Sequence, residues 1–273
     1  AVQGNPSIFH NNPRGERSEL FFELLDSMSI SESIKRCLKN NDNKIAERNL
    51  QKIARRIYSV LSSIDLIKFI YYNFFSKCIV REKNCYLMTY KNSVIDLDKS
   101  ARVQIKNGTI KLGTSKLRGS KAETYLRMGK NAKWISNGDA ELFYNTQVEI
   151  QENAVLESGY FTANCGTVIV CAKKITLGEN IMLGRNIIIY DSDYHQIVDR
   201  NGNMINYDEE VTIEDNVWLT SNVTVLRGVT IGEGSIITAQ TVIKKDLPPH
   251  SLAEGSSSVK VIKINKVASW SRE

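Results

Sequence analysis

At 273 residues the chain can hold one large domain or two modest ones around a sizeable core. Its 42% hydrophobic and 24% charged content is that of an ordinary globular protein and excludes a low-complexity or disordered chain. Lys and Arg outnumber Asp and Glu by 36 to 30, a net charge of +6 that is too small and too scattered for a nucleic-acid partner but suits an anionic ligand or a membrane surface.

Residues 1–17 lack an initiator Met and any periodicity, so they read as a processed or appended tail, and no signal peptide is seen. Residues 18–85 read as a helical N-terminal region. Leu20, Phe21, Leu24 and Leu25 share one helical face, Ile45, Leu50, Ile53, Ile57 and Leu61 share another, and Asn40–Asn43 break the two pieces apart. The run 64–80 (IDLIKFIYYNFFSKCIV) is too short to span a membrane and is interrupted by Asp65, Lys68 and Lys77. It reads first as a helix docking on the domain that follows. The competing reading is an interfacial helix in peripheral contact with a membrane, with Phe and Tyr on one side and Lys on the other. Cys37, Cys78, Cys85, Cys165 and Cys171 form no CxxC pair and read as reduced thiols, so the expected location is the cytoplasm, with the inner face of the membrane as the alternative under the interfacial-helix reading.

From Tyr86 onward the pattern is mainly β. Between Ile213 and Val242 it repeats every six residues: Ile213, Leu219, Val225, Ile231 and Ile237 each open a hexad, with a second apolar or small residue at the fifth place. A period of six fits neither a helix nor a lone strand, and points to one short strand and one corner per hexad. Three corners per coil give a triangular prism with the opening aliphatics stacked inside. The expected fold is a parallel β-helix over 86–248, irregular early and regular late. One polar excursion interrupts it at 190–211, and long loops in a tight repeat commonly carry function. Pro248 and Pro249 end the ladder, leaving 249–273 as a C-terminal tail.

The DSDYH of 191–195, followed by VTIEDNVWLTSNVTVLRGVTIGEGSIITAQTVIKKDLPPHSLAEG at 211–255, resembles the hexapeptide-repeat acyltransferases. Within them the resemblance is closest to the O-acetyltransferases of bacterial capsule and surface polysaccharides. It is strong over 175–262 and weak over 92–174. It implies a left-handed β-helix, acetyl-CoA as acyl donor, a carbohydrate acceptor, and a homotrimer with its active sites at the subunit borders. The chain departs from the family pattern at Thr220, Thr238 and Gln240, where Gly is common, and at Ser256–Ser258 in place of Asn-Pro-Ala.

Acyl transfer to a hydroxyl needs a base for the alcohol proton and a donor for the developing oxyanion. Of three histidines, His10 lies in the tail and His250 follows the prolines, while His195 sits in the excursion and in the family's catalytic motif. It is the expected general base. Asp193, two residues earlier, would share its face in extended chain and is the candidate orienter, with Asp191 next. The resemblance gives Trp218 as a donor to the acyl group, and Ser221, Thr238 and Ala239 as coenzyme contacts. Lys244 or Lys245 would meet the phosphates. No Cys or Ser has a visible base partner, so direct transfer in a ternary complex is expected. Three widely separated histidines give a metal site no support. Three other readings remain: an N-acyltransferase on a nucleotide-linked amino sugar, a serine O-acetyltransferase without its usual paired histidines, and a non-catalytic trimeric scaffold.

Overall fold

The computed structural model describes residues 63–255, apart from Gln196, Val198 and Gly202, together with the backbone of a strand at 260–263. The tail at 1–17 and the expected helices before residue 63 lie outside the described residues. So do the substituted serines at 256–258.

The sequence from residue 79 onward folds as the left-handed parallel β-helix expected from the hexads. Three sheets of seven, nine and seven strands form its faces, and up to Glu254 consecutive strands belong to different faces and pair in parallel. The first coil comprises Ile79–Arg81, Tyr86–Thr89 and Ser93–Leu97 on the first, second and third faces. The fifth comprises Lys174–Leu177, Ile181–Leu183 and Ile188–Tyr190. The sixth comprises Val211–Ile213, Trp218–Leu219 and Thr224–Val225, and the seventh Thr230–Ile231, Ile236–Ile237 and Val242–Ile243.

The hexad follows from what a corner requires. Every opening aliphatic from Ile213 to Ile237 is fully buried, and residues three hexads apart pair directly: Ile213 with Ile231, Leu219 with Ile237, Val225 with Ile243. Burying each such side chain contributes about 1.5–3 kcal/mol against exposure. Between strands the chain must turn within a residue or two through positive φ, where asparagine is tolerated better than most residues. Asn180, Asn186, Asn216 and Asn222 occupy such corners with φ of 55–59°. Their side chains also pair between coils, Asn180 with Asn216 at 2.9 Å and Asn186 with Asn222 at 3.0 Å. The early coils are irregular because they are filled by larger groups: buried Trp134 packs against Phe161 and donates its indole N–H to Ser158 Oγ at 3.1 Å.

Three features differ from the sequence reading. The prism starts at Ile79 rather than at 86, because the apolar end of the 64–80 run enters the first face as a strand. Strand structure continues past Pro249: Ser251–Glu254 extends the second face in parallel, and 260–263 returns antiparallel to it. A second excursion, between Thr114 and Thr124, leaves the second coil where the register shifts at Leu112/Thr114. It escaped notice because the hexads around it are degenerate.

The 64–80 run forms a short helix, Leu66–Ile70, which widens into a π-turn at Tyr71–Phe75. Asn73 fastens it to the first coil. Its buried amide donates to Phe69 O and Leu87 O and accepts from Leu87 N, all at 2.8 Å, so it pairs like one more strand residue. Lys68 donates to Ser93 O at 2.7 Å, so its charge is turned into the prism while Ile67 and Phe75 stay 83% and 72% exposed. Among the described residues no helix is long and apolar enough to cross a membrane.

Candidate active site

The 190–211 excursion leaves the prism at the corner between the third and first faces, after Tyr190, and rejoins it at Val211. It is held from both sides by equivalent corners of the neighbouring coils. On one side, the fully buried Asp191 carboxylate accepts the backbone amides of Ala172 and Lys173 at 2.6 and 2.8 Å. Cys171 Sγ lies 3.5 Å from the same carboxylate. Burial, and then the Asp191 charge, push the Cys171 thiol far above its usual range. On the other side, the corner Leu226–Gly228 meets the returning arm. Gly228 donates its amide to Glu209 O at 3.2 Å, with φ of 75°, and a Cβ there would come within 2.5 Å of Glu209 Oε2.

His195 is exposed at the turn between these anchors. Its amide donates to Asp193 O at 2.8 Å, and its carbonyl accepts from Asn206 Nδ2 at 2.7 Å. Beside it lies an open polar pocket of about 200 Å³, lined by Gln151, Ser192, Tyr194, His195, Met204, Asn206 and Asp208. The Tyr194 ring meets Tyr190 edge-on at 5.7 Å between centroids, and its hydroxyl donates to Val170 O at 3.2 Å. Burial of that phenol, then the Asp191 carboxylate, raise its pKa well above the ordinary value, so it serves as a hydrogen-bond donor.

The two candidate orienters are otherwise engaged. Asp191 spends its oxygens on backbone amides. Asp193 Oδ2 accepts from Arg227 Nε at 2.9 Å and Asn206 Nδ2 at 3.2 Å. The alternation that would place Asp193 and His195 on one face holds only in extended chain, and Tyr194 between them has φ of 62°. Asp193 therefore reaches His195 through the loop backbone and Asn206. Sequence reasoning missed Asn206, Arg227 and Tyr194. Only the turn-prone DRNGN and the lone Arg in the regular hexads could have drawn notice.

The remaining predicted site residues occupy other edges. Trp218 opens its strand on the outer face of the second sheet, half-buried, in register with Met182 and Ile236. Ser221, Thr238 and Ala239 lie at the corner between the second and third faces, where Gln240 N bonds to Ser221 O at 3.0 Å. Next to them Thr220 Oγ1 is buried and has no hydrogen-bond partner among the described residues. Lys244 and Lys245 follow the last third-face strand, on the same edge as the His195 excursion. Both are exposed and form no ion pair among the described residues. Within one chain, then, His195 and the lysines share an edge, while Ser221, Thr238 and Ala239 line another. Among the described residues, no three His, Cys, Asp or Glu side chains gather where they could hold a metal ion.

Comparison with known proteins places this repeat. The pattern of bacterial transferase hexapeptides (six repeats) matches residues 210–245, which hold all six strands of the sixth and seventh coils. The galactoside O-acetyltransferase of Escherichia coli strain K12 is 32% identical over 135 residues, covering 49% of this chain and 61% of that protein. The galactoside O-acetyltransferase of Lactococcus lactis is 35% identical over 103 residues, covering 38% and 50%. Among solved structures, the polySia specific acetyltransferase NeuO is 22% identical, with a TM-score of 0.44 over 71% of this chain and 88% of that one. The chain thus spans about half to three fifths of the length of these curated relatives. By its fold and by this match, the repeat region of this chain is similar to the hexapeptide-repeat transferases.

Proposed function

We propose that this chain is an acetyl-CoA-dependent O-acetyltransferase that acetylates a sugar hydroxyl of a bacterial capsular or surface polysaccharide, or of its precursor. The observation that carries this reading is the exposed His195, presented over a polar pocket by the doubly anchored excursion of a hexapeptide prism. The named activity of the galactoside O-acetyltransferases that it resembles supports the same chemistry.

In this reading the acceptor hydroxyl enters the pocket beside His195, whose imidazole removes its proton as the oxygen attacks the thioester carbonyl. The tetrahedral oxyanion collapses with cleavage of the carbon–sulfur bond, and the imidazolium returns the proton to the departing thiolate of coenzyme A. Trp218 is the candidate donor to the acyl group. Asp193 acts by holding the loop rather than by touching the ring. Ser221, Thr238 and Ala239 offer corner backbone to the pantetheine, the buried Thr220 hydroxyl lies beside them, and the exposed Lys244 and Lys245 suit phosphate. Because these groups lie on different edges of one prism, a homotrimer would complete each site at a subunit border.

The test is acetyl-CoA turnover across a panel of bacterial glycans and nucleotide sugars, with the acetylated atom read by NMR. A His195→Ala variant should lose transfer while keeping its oligomeric state; retained activity removes His195 as the base. Transfer to the amine of a nucleotide-linked sugar would support the N-acyltransferase instead. Absence of thermal stabilisation by millimolar coenzyme A would favour a non-catalytic scaffold. Peripheral membrane contact rests on the outward Ile67 and Phe75, and we assign the chain to the cytoplasmic side on its free cysteines. Replacing both apolar residues by Ser should abolish flotation with anionic vesicles, and unchanged partitioning would end that idea.

A further inference from the structure

Resting on the function proposed above, we propose that Arg227 is a positioning residue, which sets His195 over the pocket by tying both arms of the excursion to the corner of the next coil. Its side chain is three-quarters buried, and its guanidinium spans the two arms. Nε donates to Asp193 Oδ2 at 2.9 Å on the outgoing arm. Nη1 donates to Tyr207 O at 3.2 Å and to Glu209 Oε1 on the returning arm. A planar fork of fixed donors can satisfy these three acceptors together, which the single ammonium of a lysine cannot.

The linkage to the base is short. Asn206 Nδ2 bridges the same Asp193 oxygen, at 3.2 Å, and His195 O, at 2.7 Å, while Asn206 Oδ1 accepts from Ile197 N at 2.6 Å. Asp193 O also accepts the His195 amide. The path thus runs from Arg227 through Asp193 and Asn206 to the backbone on both sides of His195. Without the guanidinium, the Asp193 and Glu209 carboxylates would be left facing each other without a counter-ion. The exposed pairs contribute little to stability, because solvent screens Asp193 and Glu209, which are 43% and 53% exposed. The return arm also keeps its own backbone bonds, Glu209 N to Asp191 O at 3.0 Å and Gly228 N to Glu209 O at 3.2 Å. Loss of Arg227 should therefore displace the His195 turn without unfolding the prism.

The experiment compares Arg227→Ala and Arg227→Lys with wild type in the full chain. Four quantities are read: kcat, KM for acetyl-CoA, melting temperature, and amide hydrogen exchange over 193–209. The expected result for Arg227→Ala is a kcat lowered about 10- to 100-fold, as for a base misplaced by an ångström or so. KM for acetyl-CoA should stay within about twofold, melting should be nearly unchanged, and exchange over 193–209 should be faster. Arg227→Lys should recover only a minor part of kcat, and added methylguanidinium should partly restore Arg227→Ala. The proposal is overturned by a kcat within about twofold of wild type. It is equally overturned by a loss that tracks a lower melting temperature and shows no guanidinium rescue. If wild type itself transfers no acetyl group, the function proposed above fails separately. Exchange then decides the clamp: faster exchange confined to 193–209 upholds it, and unchanged exchange overturns it.

Discussion

Asp191 opens the excursion and yet points back into the prism, its fully buried carboxylate 2.6 Å from the amide of Ala172 one coil earlier. A carboxylate serves here where a backbone carbonyl would otherwise continue the ladder, because the chain is about to leave the third face. The same carboxylate takes the Lys173 amide, so one buried side chain satisfies two backbone donors.

Replacing Asp191 by Ala should therefore cost about 1.5–3 kcal/mol, since two charge-assisted bonds to backbone amides are lost. Chemical denaturation measures the loss, and a cost below about 1 kcal/mol would contradict this account. The Asn variant keeps one acceptor and should fall between wild type and Ala.

Two corners should respond to substitution in opposite directions. At Gly184 a Cβ would lie 1.3 Å from Thr220 O, inside the neighbouring backbone, so Gly184→Ala should force the fifth and sixth coils apart and yield little folded protein. Gln240 holds φ of 62°, which costs an ordinary side chain roughly 1–2 kcal/mol, so Gln240→Gly should stabilise by about 0.5–1 kcal/mol after the glycine's own entropy is counted. A lower melting temperature for Gln240→Gly would show that its side chain is held by something beyond this chain.

Cys171 should resist thiol reagents at neutral pH in the folded protein, because burial and Asp191 keep it protonated, whereas the half-buried Cys78 and Cys165 should react before it. The sign for stability follows. A thiol whose pKa is raised on folding favours the native state fully below the ordinary thiol range near 8.5, and loses that contribution as pH climbs beyond it. Urea midpoints should accordingly fall between about pH 8 and 10 in wild type, and fall less in Cys171→Ala. Equal slopes for the two proteins would exclude this assignment.

The hexads were legible because their information is local. Ile213, Leu219 and Val225 each open a strand for a reason contained within six residues, and asparagines mark the corners that need positive φ. The 190–211 excursion was legible by contrast, as the stretch where that pattern stops. The start at Ile79 and the strand at 251–254 were not, since a strand at the end of a prism needs only one neighbour and carries no repeat of its own.

The sequence by itself determined the coil, its period, its principal interruption and the histidine within it. Tertiary structure alone decided what holds that histidine. Asp193 meets Arg227 at a sequence separation of 34 and Asp191 meets Ala172 at one of 19. Both pairings arise because stacking brings the same corner of successive coils within hydrogen-bond reach. The short-range argument linking Asp193 to His195 failed at Tyr194, where a single residue with positive φ ends the extended geometry on which it depended.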